Sequence, residues 1–199
     1  MIEFNAQTKY SGTQQRFWRG EAKILPAGYR LLNAISIGVF ILRAVLLQIF
    51  PDGLTCALVK VGKIVSGGTT TKIRVSKENY FEVGDYVQAF DGSVAKKITA
   101  IDRSNDDYDT ITCEGAVTGA SEGKYLVESD NAAEQPKPKY VPNAVVGAEK
   151  KMSADDHDTL DVAYDAIVIK DVVPEFPAEW LESTGLSLKE NHSIKFIKQ

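Results

Sequence analysis

The longest apolar run of the chain, residues 34–50, alternates in a way that predicts a β-strand. Its odd-numbered positions from Ile37 to Ile49 are apolar and mostly β-branched apart from Arg43, whereas its even-numbered positions are mixed. Side chains two residues apart lie on the same face of a strand. The pattern therefore predicts a long strand with one face buried and the other partly covered. An amphipathic buried helix is the alternative, because periodicity alone does not separate the two for a short apolar run.

A turn signal follows this run and favours the strand. Pro51 fixes φ, Asp52 suits a turn, and Gly53 adopts positive φ without a steric penalty. These residues predict a three-residue hairpin loop with Phe50 near Leu54. The returning strand is expected within residues 54–65.

The same run is not predicted to cross a membrane. A spanning helix needs about 20 predominantly apolar residues. Arg43 also lies near the middle of the run, where a charge in lipid costs about 2.5–3.5 kcal/mol. We therefore expect no membrane partner for this segment.

Short strand-like segments alternate with turn signals through the middle of the chain. The segments are "TTTKIRV", "YVQAF", "KKITAID", "DTITCEG" and "KYLVE", separated by Gly-, Asp- and Ser-rich turns. Such spacing is typical of all-β folds. We predict a mainly β fold, a sandwich or barrel of short antiparallel strands, with one or two short helices in the C-terminal part.

The C-terminal third has a different composition. Residues 131–143 hold three prolines and predict a connecting loop. After it we expect an acidic segment with helical potential (153–161), a strand (164–173), a short helix within residues 176–185, and a terminal strand in "SIKFIKQ". In the predicted helix, Pro177 suits the first turn and Gly185 the position just past the end.

These signals divide the chain into four parts. Residues 1–22 form an extended N-terminal arm, residues 23–130 a β domain, residues 131–143 the connecting loop, and residues 144–199 a C-terminal segment that packs on the β domain or on a neighbouring subunit. The arm carries Arg16-Phe17-Trp18-Arg19, a composition typical of interface hot spots. It is either a flexible arm or one that docks its aromatic side chains on a neighbour.

Charge and cysteine content exclude several classes of function. The formal net charge of -4 gives no electrostatic support for binding nucleic acid. Cys56 and Cys113 are too few for a disulfide framework, and both are expected to be small core residues in strands. Residues 1–20 lack a basic segment followed by an apolar one, so no secretory signal peptide is predicted.

Three segments carry weak signals for ligand chemistry. "GKIVSGGT" (62–69) has Gly68 where a phosphate-binding loop needs lysine, so a glycine-rich strand connection is favoured. "DRSNDDYDT" (102–110) has Asp107 where a calcium loop needs glycine, which favours a solvated turn.

The third segment is "ADDHD" (154–158). A hydrolase or metal site using Asp155 and His157 is one hypothesis, and capping of a helix by Asp155 is the favoured one. We find no convincing nucleophilic constellation. The sequence therefore predicts no enzyme activity, no catalytic residue, no metal and no cofactor.

Several segments together resemble a family of virion proteins. "ILPAGYRLL", "VSGGTTTKIRVSKENYFEVGDYV", "KKITAIDRSNDDYDTITCEGAVTGASEG", "YVPNAVVGAEKK" and "SLKENHSIKFIKQ" resemble the head fibre proteins of tailed bacteriophages and of prophages in gut bacteria. Lambda-type head decoration proteins are a neighbouring possibility. The resemblance implies a protein made in the bacterial cytoplasm and seated on the capsid exterior. It also implies a homotrimer that binds the major capsid protein, alone or beneath another head fibre protein.

The apolar patterns suggest where such contacts lie. Three apolar segments are expected to contact other subunits or the capsid. They are the arm, the second face of the 34–50 strand and the terminal strand. The candidate interface residues are Phe17, Trp18, Phe40, Leu42, Leu46, Ile194 and Phe196. The alternative function is a head-attached adhesin that binds host or mucosal glycans through aromatic side chains such as Trp18 or Trp180.

Overall fold

The computed structural model describes residues 17–130, 136–154 and 159–198, and within these ranges the protein is built from β-strands. The strands are β1 Lys23–Leu31, β2 Phe40–Ile41, β3 Leu46–Ile49, β4 Thr55–Leu58, β5 Val61–Lys63, β6 Lys72–Ser76, β7 Tyr86–Ala89, β8 Lys96–Asp102, β9 Tyr108–Cys113, β10 Tyr125–Glu128, β11 Ala144–Val146, β12 Lys150–Lys151, β13 Thr159–Ile169 and β14 Ile194–Ile197. Two 3-10 helices, Lys170–Val172 and Ala178–Trp180, lie near the C-terminus. The predicted mainly β fold is confirmed.

Five strands close a small barrel. The strands lie around the barrel in the order β1-β4-β3-β11-β13, and β13 pairs with β1 to close it. Strand β1 is parallel to β4 and antiparallel to β13. Every second side chain of these strands points inward. Leu47, Leu58, Val146, Leu160 and Val162 fill the interior, which we call the barrel core.

The second unit is an antiparallel sheet of six strands in the order β5-β10-β7-β8-β9-β6. Its two ends curl together, because Ile64 forms an antiparallel bridge with Val75 and the Val65 N–H donates to the Arg74 carbonyl at 2.9 Å. Phe81, Ile98 and Leu126 are fully buried on its inner face, in what we call the sheet core.

A third cluster joins the two units. Leu46 and Val145 point outward from the barrel and meet Val61 and Val127 of the antiparallel sheet. The C-terminal segment adds buried aromatic side chains, Trp180 among them, to this junction core. At Ala44 and Leu46, the second face of the apolar run is therefore covered by the protein's own chain.

The run 34–50 is not one continuous strand, so that prediction is wrong in part. It forms β2 and β3, which lie in different sheets: β2 pairs with β12 in a separate two-stranded ribbon, and β3 lies in the barrel. Ala44, between them, has φ +64°. A residue with left-handed backbone conformation interrupts a strand. The alternation of apolar residues does not reveal such a residue, so the break was not predicted.

The hairpin after this run is present, with a longer loop than predicted. Strands β3 and β4 pair antiparallel, and the Phe50 N–H donates to the Thr55 carbonyl at 3.1 Å. Residues 51–54 are therefore the loop. The Asp52 carboxylate accepts hydrogen bonds from the Leu54 and Thr55 N–H groups at 2.9 and 3.0 Å, which keeps Leu54 inside the loop. Gly53 has φ +68°, as the turn requires.

The returning strand also divides. Residues 54–65 form β4 in the barrel and β5 in the antiparallel sheet, with the change of sheet at Val59 and Lys60. The five short strands predicted farther along the chain correspond to β6–β10, and the terminal strand to β14.

The C-terminal predictions hold only partly. The expected strand 164–173 begins earlier, as β13, and its last residues form a 3-10 helix. The helix expected within 176–185 is a single 3-10 turn preceded by Pro177, while Gly185 belongs to a later turn in which its N–H donates to the Glu182 carbonyl at 2.8 Å. The acidic segment enters β13 at Thr159, and residues 155–158 lie outside the described ranges.

The structure divides the chain differently from the predicted domains. Residues 23–130 do not form one unit, because β1, β3 and β4 close the barrel with β11 and β13 from beyond the connecting loop. The antiparallel sheet, β5 to β10, is inserted between the two groups of barrel strands. Within the described ranges no helix is long and apolar enough to cross a membrane.

Candidate interaction surface

The aromatic residues of the arm lie on the protein's own β13. Trp18 forms an antiparallel bridge with Val168, and the Ile169 N–H donates to the Phe17 carbonyl at 2.9 Å. Both rings are half-buried against the junction core. The structure therefore seats the described end of the predicted arm within its own subunit, while residues 1–16 lie outside the described ranges.

The terminal strand has no free edge for a second subunit. Strand β14 pairs in parallel with β13. On its other side, the Leu188 N–H donates to the Ile194 carbonyl at 3.1 Å and the Phe196 N–H donates to the Leu186 carbonyl at 2.7 Å. Ile194 and Phe196 are 0% and 1% exposed. These two predicted interface residues therefore pack inside their own chain, and pairing of β14 with another sheet is not available in this conformation.

The remaining three predicted residues fall in different environments. Leu46 is buried in the junction core. Leu42 is half-buried against the barrel core, and its N–H donates to the Tyr80 hydroxyl oxygen at 3.0 Å. Phe40 is 54% exposed, with the Lys151 ammonium 5.4 Å from the centre of its ring. Among the seven predicted side chains, Phe40 is the one that the structure leaves largely exposed.

Two further apolar side chains are exposed at the tips of tight turns. Ile37 is 71% exposed and Val83 is 61% exposed. Each stands immediately before a glycine of positive φ, Gly38 at +87° and Gly84 at +103°. We call Ile37 and Val83, together with Phe40 of β2, the turn-tip patch. Apolar surface in contact with water costs solvation free energy, and exposed apolar side chains that are grouped together, unlike single ones, are typical of contact surfaces.

Hydrogen bonds join the two turns that carry Ile37 and Val83. The Ser36 N–H donates to Glu82 Oε1 at 3.0 Å, and the Ser36 hydroxyl donates to Glu82 Oε2 at 2.8 Å. Ser36 precedes Ile37 and Glu82 precedes Val83, so this bidentate contact fixes the two exposed side chains relative to each other.

A buried ion pair anchors the second turn. Lys60 Nζ lies 2.6 Å from Asp85 Oδ2, and the Lys60 side chain is only 2% exposed. The same carboxylate accepts the Glu82 N–H at 2.8 Å. Lys60 lies where the chain crosses from β4 to β5, so the turn is tied to the junction of the two units. A surface fixed in this way loses little conformational entropy when it is covered.

The sequence did not identify Ile37 or Val83 as surface residues. Ile37 belongs to the apolar run 34–50, whose alternation predicts burial of its odd-numbered positions. The signal that could have found them is the β-branched residue directly before a turn glycine, Ile37-Gly38 and Val83-Gly84, which places the apolar side chain at the tip of the turn rather than in the strand.

Two of the three segments with weak ligand signals lie at turns between strands. A Cβ at Gly68 would lie 2.8 Å from the Arg74 backbone nitrogen, so glycine is required by close approach of the backbone of β6. Between β8 and β9, Asp102 Oδ1 accepts the Ser104 N–H and Asn105 Oδ1 accepts the Asp107 N–H, each at 2.9 Å. Both turn predictions are confirmed, and Asp155 and His157 lie outside the described ranges.

The two cysteines are buried and free. Burial raises the pKa of the Cys56 thiol to about 12 and that of the Cys113 thiol to about 11. A thiol that stays protonated is a poor nucleophile, which agrees with the predicted packing role in β4 and β9. In the part of the chain that the structure describes, no three His, Cys, Asp or Glu side chains are grouped to hold a metal ion.

Comparisons with protein-family models, with curated proteins and with solved structures find no match for this chain.

Proposed function

We propose that this chain is a structural protein of the virion, a head fibre or decoration protein on the outside of a bacteriophage capsid. In this role it forms a homotrimer and binds the major capsid protein, which decorates or stabilises the head. The resemblance of its sequence segments to head fibre proteins is the source of the proposal. The turn-tip patch is the structural observation that supports it most directly.

The patch has the properties that a subunit contact needs. Ile37, Phe40 and Val83 present apolar surface, and the Ser36–Glu82 contact holds two of them in place. Burying apolar surface contributes about 25 cal/mol per Å². We assign this patch to the contact between copies of the chain, because three copies can bury three such patches around one axis.

Trimer formation also explains how a capsid protein of modest size is retained on a virion. Each copy contributes one contact with the capsid, and the second and third contacts form at high effective concentration once the first exists. Strong attachment then follows from three weak contacts. This mechanism requires no cofactor and no chemical step.

The test measures assembly first. We expect native mass spectrometry and light scattering to give a trimer mass for the wild-type chain. The double variant Ile37→Asp/Val83→Asp should weaken association at least ten-fold while its circular dichroism spectrum is retained. Leu54→Asp is the matched control, because Leu54 is 68% exposed in the β3–β4 loop and outside the patch. Its trimer should be unchanged.

The second arm tests the capsid. Wild-type chain should co-sediment with heads of the phage whose genome encodes it, at a stoichiometry that is a multiple of three, and the double variant should be retained poorly. A wild-type monomer that does not sediment with those heads would rule out the proposed function. A trimer that survives the double substitution would instead remove the patch from the contact.

A further inference from the structure

A cleft of about 440 Å³ opens between the antiparallel sheet and the segment that follows β13. Phe90 and Asp91 after β7 and Lys124 and Tyr125 at the start of β10 form one wall, and residues 174–179 contribute to the other. Small-molecule sites in proteins are commonly clefts of about 300–1,000 Å³ with aromatic walls and a few converging polar groups. The cleft has the size and composition of such a site.

The aromatic residues that line the cleft are held in place by a buried ring. Phe90, Tyr125 and Phe176 are among the lining residues, and Phe176 is itself buried. Trp180, only 6% exposed, packs edge-on against Phe90 at 5.5 Å between ring centres and stacks on Phe176 at 6.5 Å. Trp180 is therefore a core residue that supports the rings of the cleft and does not itself face a ligand.

The lining of the cleft holds three carboxylates and two ammonium groups, and Lys63, outside the lining, supplies a third ammonium group. Lys124 Nζ lies 2.7 Å from Asp91 Oδ2, and Lys63 Nζ lies 2.8 Å from Glu175 Oε2. The Tyr125 hydroxyl donates to the same Glu175 oxygen at 3.4 Å.

Glu179 and Lys170 complete the lining, and the Lys170 ammonium lies 5.5 Å from the centre of the Phe176 ring. Carboxylates and ammonium groups thus offset each other, so an ion of either sign gains little net attraction. A ligand with many hydroxyl groups finds both donors and acceptors.

We propose that this cleft binds a neutral saccharide. A pyranose ring has an apolar C–H face that packs on aromatic rings, and hydroxyl groups around its edge that donate to carboxylates and accept from ammonium groups. Phe90 and Tyr125, each partly exposed, provide the packing surface. Glu175, Glu179 and Lys170 provide hydrogen-bond partners. This inference goes beyond the capsid role and does not depend on it, because the cleft is separate from the turn-tip patch.

The experiment uses the full chain and defined probes. A glycan array carrying neutral and acidic oligosaccharides identifies the class, and titration calorimetry with the best neutral binder, at concentrations up to millimolar, gives the affinity. We expect neutral glycans to bind. Ala178→Trp, which places a large side chain at an exposed position of the lining, should weaken binding at least ten-fold.

A second variant tests the hydrogen-bonding groups. Glu179→Gln should weaken binding about three- to ten-fold, because one charge-assisted hydrogen bond becomes a neutral one. Glu149→Gln, at an exposed position outside the cleft, is the matched control and should bind as the wild type does. Thermal melting of each variant establishes that the fold is intact. The proposal fails if no neutral glycan binds at millimolar concentration, if only acidic glycans bind, or if a folded Ala178→Trp variant keeps wild-type affinity.

Discussion

Asp109 shows how one buried carboxylate fixes a strained segment. Its side chain is 5% exposed and lies 2.6 Å from Lys77 Nζ, while the Asn79 side-chain amide donates to its other oxygen at 2.9 Å. Asn79 stands between two residues of positive φ, Glu78 at +63° and Tyr80 at +59°. Such conformations cost about 1–3 kcal/mol each and persist only where neighbouring contacts hold them. Asp109 supplies those contacts.

We therefore predict that Asp109→Ala destabilises the protein by about 2–3 kcal/mol, because the Asn79 amide and the Lys77 ammonium lose a charged acceptor. Urea unfolding followed by circular dichroism measures the change. Asp106→Ala, in the exposed turn between β8 and β9, is the matched control and should alter stability by about 0.5 kcal/mol or less. Equal effects of the two substitutions would contradict the role given to Asp109.

At the scale of an element, β14 belongs to the core of its own chain. Phe196 is 1% exposed and meets the Phe176 ring edge-on at 4.8 Å between centres. Its neighbour Lys195, on the opposite face of the strand, is exposed. Alternate side chains of this strand therefore differ in role: Phe196 packs in the core, and Lys195 lies at the surface.

Phe196→Ala is expected to cost about 3–5 kcal/mol, as large-to-small substitutions of buried aromatic side chains do. Lys195→Ala should change stability by about 0.5 kcal/mol or less. Guanidinium unfolding distinguishes the two variants. If Phe196→Ala instead left the unfolding midpoint unchanged and lowered only the assembled mass, Phe196 would be an interface residue after all.

Local patterns predicted the elements that depend on local chemistry. Strands β6–β10 are each set off by turn residues, and both the strands and the turns were recognised. The closure of the barrel was not predictable in this way, because β1 and β13 meet across more than a hundred residues of sequence. The break at Ala44 was also missed, since the pattern of apolar residues contains no record of a positive φ at alanine.

The candidate surface was harder to predict than the fold, for a physical reason. Alternation identifies apolar side chains but not what covers them. Leu46 and Phe196 are covered by distant parts of the same chain, whereas Ile37 and Val83 are left exposed by the turns that carry them. Phe40 alone among the predicted interface residues remains in the turn-tip patch.

At the scale of the whole molecule, a buried polar cluster ties the two units together. The Asn33 side chain pairs with the backbone of Leu58 in the barrel, accepting its N–H at 2.6 Å and donating to its carbonyl at 3.2 Å. The same amide reaches Glu128 of β10 at 3.5 Å. Lys139, in the connecting loop, lies 2.6 Å from the other Glu128 oxygen. Barrel, antiparallel sheet and loop therefore meet at one carboxylate.

Burial raises the pKa of Glu128 above its ordinary value of 4.5, and the nearby Lys60 and Lys139 offset only part of that rise. The folded protein therefore holds this proton to higher pH than the unfolded chain does, so protonation favours the folded state. The contribution of Glu128 to the free energy of unfolding falls as the pH rises from 4.5 through the raised pKa, and is constant above it.

Glu128→Gln removes this titration and keeps a neutral group of the same shape. We predict that the stability of the variant relative to the wild type increases as the pH rises through this window and then levels off. Urea unfolding of both proteins between about pH 4.5 and 8 measures the difference. Glu122→Gln, at an exposed position before β10, is the matched control for the loss of one carboxylate. A Glu128→Gln difference that is flat or falls with pH would contradict this prediction, because burial would then not raise the pKa of Glu128 above its value in the unfolded chain.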